Sequence, residues 1–178
     1  MLDLKEVFRS LIDAPSAIQV SPRFYFYVLV RHSFLQAALA DAELAEYVAG
    51  VMAKRVCTEG TDPMQDVTRG FTHVADFLSI ISPAKGRLRF HLQVAAGNQF
   101  LILTGLYPEF LKHRHERGEA PDLEFYESFA QRVFRAASGN RPASTGDSRN
   151  VLGALAEAMP AARKSLNRMA EEFVFLGD

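Results

Sequence analysis

Apolar side chains recur every three or four residues along most of the chain, which is the spacing of one buried helix face. This periodicity predicts eight helical segments, at about residues 2–12, 22–39, 41–57, 64–81, 84–106, 109–117, 122–137 and 152–176. A polar stretch near 138–147 predicts the one flexible internal loop. The pattern therefore predicts an all-α fold, with residues 1–178 forming a single domain, an antiparallel bundle of about seven or eight helices.

The aromatic stretch Phe24–Val30 is the segment for which a strand competes most strongly with the helix prediction. Its aromatic and β-branched residues would suit a strand if the stretch stood alone. The preceding Ser21 and Pro22 are typical of a helix N-cap followed by proline at the first helical position. Because the apolar spacing also continues beyond Phe34, the sequence predicts a helix here.

The last predicted helix carries the most regular apolar seam. Its members alternate in steps of three and four: Leu152, Leu155, Met159, Ala162, Leu166, Met169, Phe173 and Leu176. Pro160 lies within the seam and predicts a kink or a break. A helix packed against its own core is the favoured interpretation, and a surface for self-association is the alternative.

Composition and charge restrict the class of protein. The chain has 178 residues, of which 48% are apolar and 23% charged, as in a soluble globular protein. With 20 Lys and Arg against 21 Asp and Glu, no bulk field attracts nucleic acid or an anionic membrane. The longest apolar run, Phe24–Val30, is far shorter than the ~20 residues that cross a bilayer. Cys57 is the single cysteine, so no internal disulfide forms, and a cytoplasmic protein is expected.

Polar residues on two predicted helices suggest a ligand pocket. Tyr25, His32 and Gln36 form a strip on the second predicted helix, which is otherwise almost entirely apolar. Asn98 and Gln99 interrupt the apolar fifth helix, and buried amides need hydrogen-bond partners. The ligand-binding hypothesis places a small molecule between these two helices, with Arg89 near the start of the fifth as an anion contact. The alternative places Tyr25, His32 and Gln36 at the solvent rim of a buried helix.

A second polar stripe combines histidine with carboxylates. Asp66, Arg69, His73 and Asp76 share one face of the predicted fourth helix. A histidine oriented by a carboxylate serves as a base or a metal ligand. A solvated face with ion pairs has the same pattern and is the favoured interpretation. The sequence predicts no metal site and no cofactor.

Two basic clusters and two glycines remain. Lys85–Arg89 lies at a predicted helix start, where positive charge opposes the helix dipole unless an anion compensates it. The cluster Lys112–Arg117 predicts a short, solvated charged helix. Gly97 and Gly105 predict close approach of another helix or of a ligand. Nucleic-acid binding is not expected, because its support is confined to these two clusters.

The run from Leu88 to Ala137 resembles a set of uncharacterised bacterial helical proteins without an established activity. The similarity lies in the segment GNQFLILTGLYPE from Gly97 to Glu109, in a following turn that contains arginine, and in Tyr126. Phe134 stands where those proteins often have a second tyrosine. The resemblance implies an all-helical cytoplasmic protein and transfers no catalytic residue.

Two functional hypotheses follow from the sequence. The favoured one is a noncatalytic cytoplasmic protein that associates with itself or with a protein partner, since no linear reaction motif occurs in the chain. The alternative is an enzyme or small-molecule-binding protein that uses the pocket described above. The sequence leaves open whether the protein catalyses a reaction.

Overall fold

The computed structural model describes residues 20–56, 73–140 and 146–174. These ranges contain seven α-helices: α1 Pro22–Gln36, α2 Ala42–Val56, α3 Val74–Ile81, α4 Gly86–Leu106, α5 Pro108–Glu116, α6 Leu123–Ser138 and α7 Gly146–Met169. A π-helical turn, Ala170–Val174, extends α7, and no strand occurs in these ranges. The all-α prediction is confirmed. The helix predicted over 2–12, residues 64–72, residues 141–145 and Leu176 lie outside the described residues.

The aromatic stretch is helical, as its flanking residues predict. The Ser21 hydroxyl accepts a hydrogen bond from the Phe24 backbone N–H at 3.2 Å, and Pro22 occupies the first helical position. The helix ends at Gln36, earlier than the predicted Leu39. Ala38 adopts a φ of 60°, and the Leu39 N–H donates to the Phe34 carbonyl at 2.8 Å. An αL closure of this kind normally contains glycine, so the sequence did not mark the end of the helix.

In the bundle, α4, α6 and α7 each contact the other two. The Asn140 side chain, just after α6, donates to the carbonyl of Gly86 at the start of α4, so α6 and α4 are antiparallel. Gly153 of α7 lies against Ser138 at the end of α6, so α6 and α7 are antiparallel as well. It follows that α4 and α7 run parallel to each other. The pair α1 and α2 packs against α7.

The apolar seam of α7 faces the core. Leu152, Leu155, Met159, Ala162, Leu166 and Met169 are all at most 2% exposed. The helix continues through Pro160 without a break. The core interpretation of the seam is therefore correct, and these residues offer no surface for self-association.

Gly97 and Gly105 lie where other helices approach α4 most closely. A Cβ at Gly97 would be 2.5 Å from Cε1 of Phe134 on α6. A Cβ at Gly105 would be 2.9 Å from the Leu166 Cβ on α7. Distances below about 3.0 Å are not tolerated between carbon atoms without movement, so the two glycines permit the packing of α6 and α7 on α4.

An aromatic cluster connects α3, α4 and α6. The Phe100 ring is fully buried and lies with its centroid 5.5 Å from that of Phe77 and 5.3 Å from those of Tyr126 and Phe129. Tyr126 is stacked on Phe100, whereas the other two rings are edge-on. Phe100 is therefore the centre of this part of the core. Over the described ranges, no helix combines the length and apolar character that a membrane span requires.

Candidate functional site

The polar strip predicted on the second helix of the sequence lies on α1, the first helix of the described structure. The Gln36 side-chain amide donates to the Nε2 atom of His32 at 3.0 Å. The His32 ring is edge-on to the Phe173 ring, with centroids 6.4 Å apart. Tyr25 is half-buried and packs against the core. His32 and Gln36 are thus paired with each other near solvent.

The predicted residues of α4 are spread along the helix. Arg89 is exposed, and Asn98 and Gln99 are half-buried. Asn98 lies nine positions after Arg89, which is about 13 Å along a helix. In the described ranges, α1 packs against α2 and α7, and α4 packs against α3, α5, α6 and α7. The binding of a ligand by the six predicted residues stays a prediction.

Asn98 has a partner that the sequence did not indicate. The Tyr47 hydroxyl of α2 donates to its Oδ1 atom at 2.9 Å. Burial raises the pKa of Tyr47 to about 12, and the hydrogen bond to Asn98 lowers it in part. The pair joins α2 to α4 across 51 positions of sequence, which explains why periodicity within one helix could not reveal it.

We expect Tyr47 to make stability sensitive to alkaline pH. Its folded-state pKa of about 12 lies above the unfolded value of about 10, so its contribution is complete below pH 10 and is lost as the pH rises through 12. Urea unfolding between pH 9 and 12 measures this loss. The Tyr47→Phe variant should show a shallower decline and should lack the ultraviolet tyrosinate signal that appears near pH 12. An unchanged pH profile in the variant would contradict the assignment.

His73 is not part of a helical stripe. It is exposed and precedes α3 in an extended conformation, with φ −107° and ψ 140°. The single helix predicted over 64–81 is therefore wrong at this point, because α3 begins at Val74 with Asp76 in its first turn. Arg114 of α5 donates to the His73 Nε2 atom at 3.1 Å. Asp66 and Arg69 lie outside the described residues, and no group of three metal-ligating side chains occurs among the residues that are described.

The tyrosine that the family resemblance emphasises is a core residue. Tyr126 is fully buried, and its hydroxyl has no hydrogen-bond partner in the described structure. Burial raises the pKa of Tyr126, and the charge of Arg114 opposes this rise. Phe134, at the position of the second tyrosine, lies against Gly97. Both positions thus contribute to packing of α6 on α4.

The start of α4 concentrates unpaired positive charge. Lys85 is the N-cap residue and makes no capping hydrogen bond through its side chain, and the first turn contains no acidic residue. Lys85, Arg87 and Arg89 are all exposed. Since the free N–H groups of a helix N-terminus are themselves electropositive, these cations add to the field of the helix rather than oppose it.

Two further cations come to the same end of the bundle from other helices. Arg135 is exposed in the last turn of α6, which the Asn140 contact with Gly86 places beside the start of α4. The parallel register that puts Leu166 against Gly105 puts Arg149, near the start of α7, at the same level. The Nε atom of Arg149 is buried without a hydrogen-bond partner in the described structure. We call this group the cationic end: Lys85, Arg87, Arg89, Arg135 and Arg149.

The cationic end contrasts in its lack of counter-charges with the ion-paired cations of α1 and of the α5 region. Elsewhere, Arg23 pairs with Glu46 at 2.8 Å and Arg117 with Glu119 at 2.9 Å. None of the five side chains of the cationic end forms an ion pair in the described structure. Comparison of the chain with protein families, curated proteins and solved structures found no match.

Proposed function

We propose that this protein is a noncatalytic binding protein whose cationic end docks an acidic segment of a protein partner. The observation that carries the proposal is that three helices place five cations at the same end of the bundle, none of them in an ion pair of the described structure. Lysine and arginine are charged at neutral pH and donate hydrogen bonds, which suits recognition of carboxylates better than proton transfer.

The arrangement favours an anionic partner energetically. A positive side chain near a helix N-terminus is unfavourable by about 0.3 to 1 kcal/mol relative to a negative one. A partner that supplies carboxylates at the start of α4 removes this unfavourable field and satisfies free N–H groups. The benefit is screened by salt, because the side chains concerned are exposed. Binding should therefore weaken steeply as the ionic strength rises.

An acidic protein segment fits this surface better than a nucleic acid does. Proteins that bind nucleic acid through the phosphate backbone commonly make about 6 to 10 phosphate contacts. The cationic end offers five cations on a chain whose net charge is −1, so long-range attraction to a polyanion is weak. A few carboxylates on a partner protein match the size and charge of this end.

A cytoplasmic location belongs to the same proposal. Its support is the single cysteine, Cys57, because a chain that forms no internal disulfide suits a reducing compartment. The apolar seam of α7 does not support self-association, because it is buried in the protein's own core. A second copy of the chain is therefore treated as an outcome of the test.

Fluorescence anisotropy with a labelled twelve-residue peptide that contains four Glu residues among Ser and Gly tests the proposal. In a buffer of low ionic strength we expect saturable binding, weakened about 10-fold by the double substitution R87Q and R89Q. The matched control is K112Q and R117Q, which removes the same charge from α5, where Lys112 pairs with Glu109 and Arg117 with Glu119. The control should change the affinity by less than about 2-fold.

Three results would overturn the proposal. One is equal weakening by the two double variants, which would indicate a response to net charge alone. Another is tighter binding of a single-stranded DNA oligonucleotide than of the peptide, which would favour nucleic acid. The third is light scattering that shows a stable dimer disrupted by R87Q and R89Q, since the partner of the cationic end would then be a second copy.

A further inference from the structure

A surface pocket of about 350 Å³ opens beside the first turn of α1. Its lining residues come from the start of α1 and from α2: Ser21, Arg23, Phe24, Tyr27 and Glu46. The volume lies at the lower end of the ~300 to 1,000 Å³ that is usual for ligand pockets. The pocket therefore suits a molecule of the size of an amino acid and is too small for a dinucleotide cofactor.

The local sequence presents two aromatic rings to this pocket. The Ser21 cap and Pro22 fix the start of α1, and Phe24 and Tyr27 follow three residues apart on one side of the helix. Phe24 is 59% exposed, although the burial of such a ring would be favourable. Tyr27 is half-buried and packs against the core. The two rings form an apolar wall that is open to a planar ligand.

Besides the two aromatic rings, the pocket contains an ion pair between Arg23 and Glu46. The Arg23 guanidinium donates to Glu46 Oε1 at 2.8 Å, and both side chains are about 60% exposed. The guanidinium has five N–H donors and the carboxylate has two oxygens, so each group keeps free capacity in this single contact. The pair carries no net charge, which disfavours a simple anion or a simple cation as ligand.

We propose that this pocket binds a free aromatic α-amino acid. The ligand ring packs against Phe24 and Tyr27, its carboxylate accepts hydrogen bonds from Arg23, and its ammonium group donates to Glu46. A zwitterion satisfies both members of the ion pair, and an aromatic side chain gains ring–ring contacts with the apolar wall in addition to its burial. This site is separate from the cationic end and does not depend on the function proposed for it.

Isothermal titration calorimetry and saturation-transfer NMR with L-tryptophan test the proposal on the full chain. Because the pocket is open to solvent, we expect a dissociation constant on the order of 1 mM or somewhat lower. Three analogues each lack one element of the ligand: indole-3-propionate lacks the ammonium group, tryptamine the carboxylate, and L-alanine the ring. Each should bind at least about 5-fold more weakly.

Three variants test whether tryptophan binds in this pocket. R23Q and E46Q should each weaken tryptophan binding by at least about 5-fold, and F24A should abolish it at millimolar concentrations. All three side chains are exposed, so circular dichroism should show an unchanged fold. The matched control is R31Q, since Arg31 lies on α1 and donates to the Ala40 carbonyl outside the pocket. R87Q with R89Q should also leave tryptophan binding unchanged.

The proposal fails if tryptophan does not saturate the protein at about 20 mM. It fails equally if indole-3-propionate or tryptamine binds as well as tryptophan, because the ion pair would then not be used. Unchanged binding by F24A or R23Q would place the ligand elsewhere. Loss of the acidic-peptide interaction tested above, with tryptophan binding retained, would overturn only the function assigned to the cationic end.

Discussion

Phe100→Ala should lower the free energy of unfolding by about 3 to 5 kcal/mol. Phe100 is fully buried and is the only described residue whose ring contacts aromatic rings of both α3 and α6. Its truncation removes the stacked contact with Tyr126 and leaves a cavity that the three remaining rings cannot fill without movement. Equilibrium unfolding in urea, monitored by circular dichroism, measures the change.

Phe110→Ala is the matched control for this prediction. Phe110 is 47% exposed on α5, where the Arg114 guanidinium lies 5.6 Å from the centre of its ring. Phe110→Ala should lower the free energy of unfolding by less than about 1 kcal/mol. Comparable losses in the two variants would mean that Phe100 is not at the centre of the core.

Gly97→Ala should destabilise the protein by about 2 kcal/mol, although alanine is the better helix former. The added Cβ would lie 2.5 Å from Cε1 and 2.7 Å from Cζ of Phe134, a rigid and fully buried ring. Either α6 moves away from α4 or the ring leaves its preferred rotamer. The urea midpoint should fall while the dependence of the free energy on urea stays the same.

Gly50→Ala separates this steric effect from helix propensity. Gly50 lies within α2, and a Cβ there would meet nothing within 4 Å. Alanine at position 50 should therefore stabilise the protein by up to about 1 kcal/mol. Phe134→Leu should reduce the cost of Gly97→Ala in a double-mutant cycle. A neutral or stabilising Gly97→Ala would contradict the close packing of α4 and α6.

Periodicity within single helices made the fold predictable. Apolar steps of three and four identified the buried face of α7, and Ser21 with Pro22 identified the start of α1 despite the strand-like residues that follow. Gly97 and Gly105 indicated close helix contacts because their helix propensity is poor in an otherwise apolar helix. All of these signals are local, so a single sequence is enough to reveal them.

Boundaries without a strong local signal were predicted less well. The end of α1 depends on Ala38 in the left-handed region, where alanine is disfavoured and gives no warning in the sequence. The start of α3 follows the extended residue His73, although the apolar spacing of the sequence continues on both sides of His73. In both cases the backbone departs from a helix that the side-chain spacing alone would continue.

Residues that come together across the bundle could be predicted only in part. Arg89 and its neighbours indicated an anion site because they share one helix start. Arg135 and Arg149 reach the same end through the antiparallel packing of α6, and a linear motif cannot express that relation. The Tyr47 contact with Asn98 and the Arg23 contact with Glu46 are further examples. The sequence thus named single members of sites whose other members depend on topology.

The position of α7 has a consequence for synthesis of the protein on the ribosome. This helix contacts α1, α2, α4 and α6. While the nascent chain still lacks α7, the apolar faces that will meet Leu155, Met159 and Leu166 have no cover from it. The core is therefore completed only after α7 has been synthesised, and the nascent chain without α7 is the form most in need of protection by chaperones.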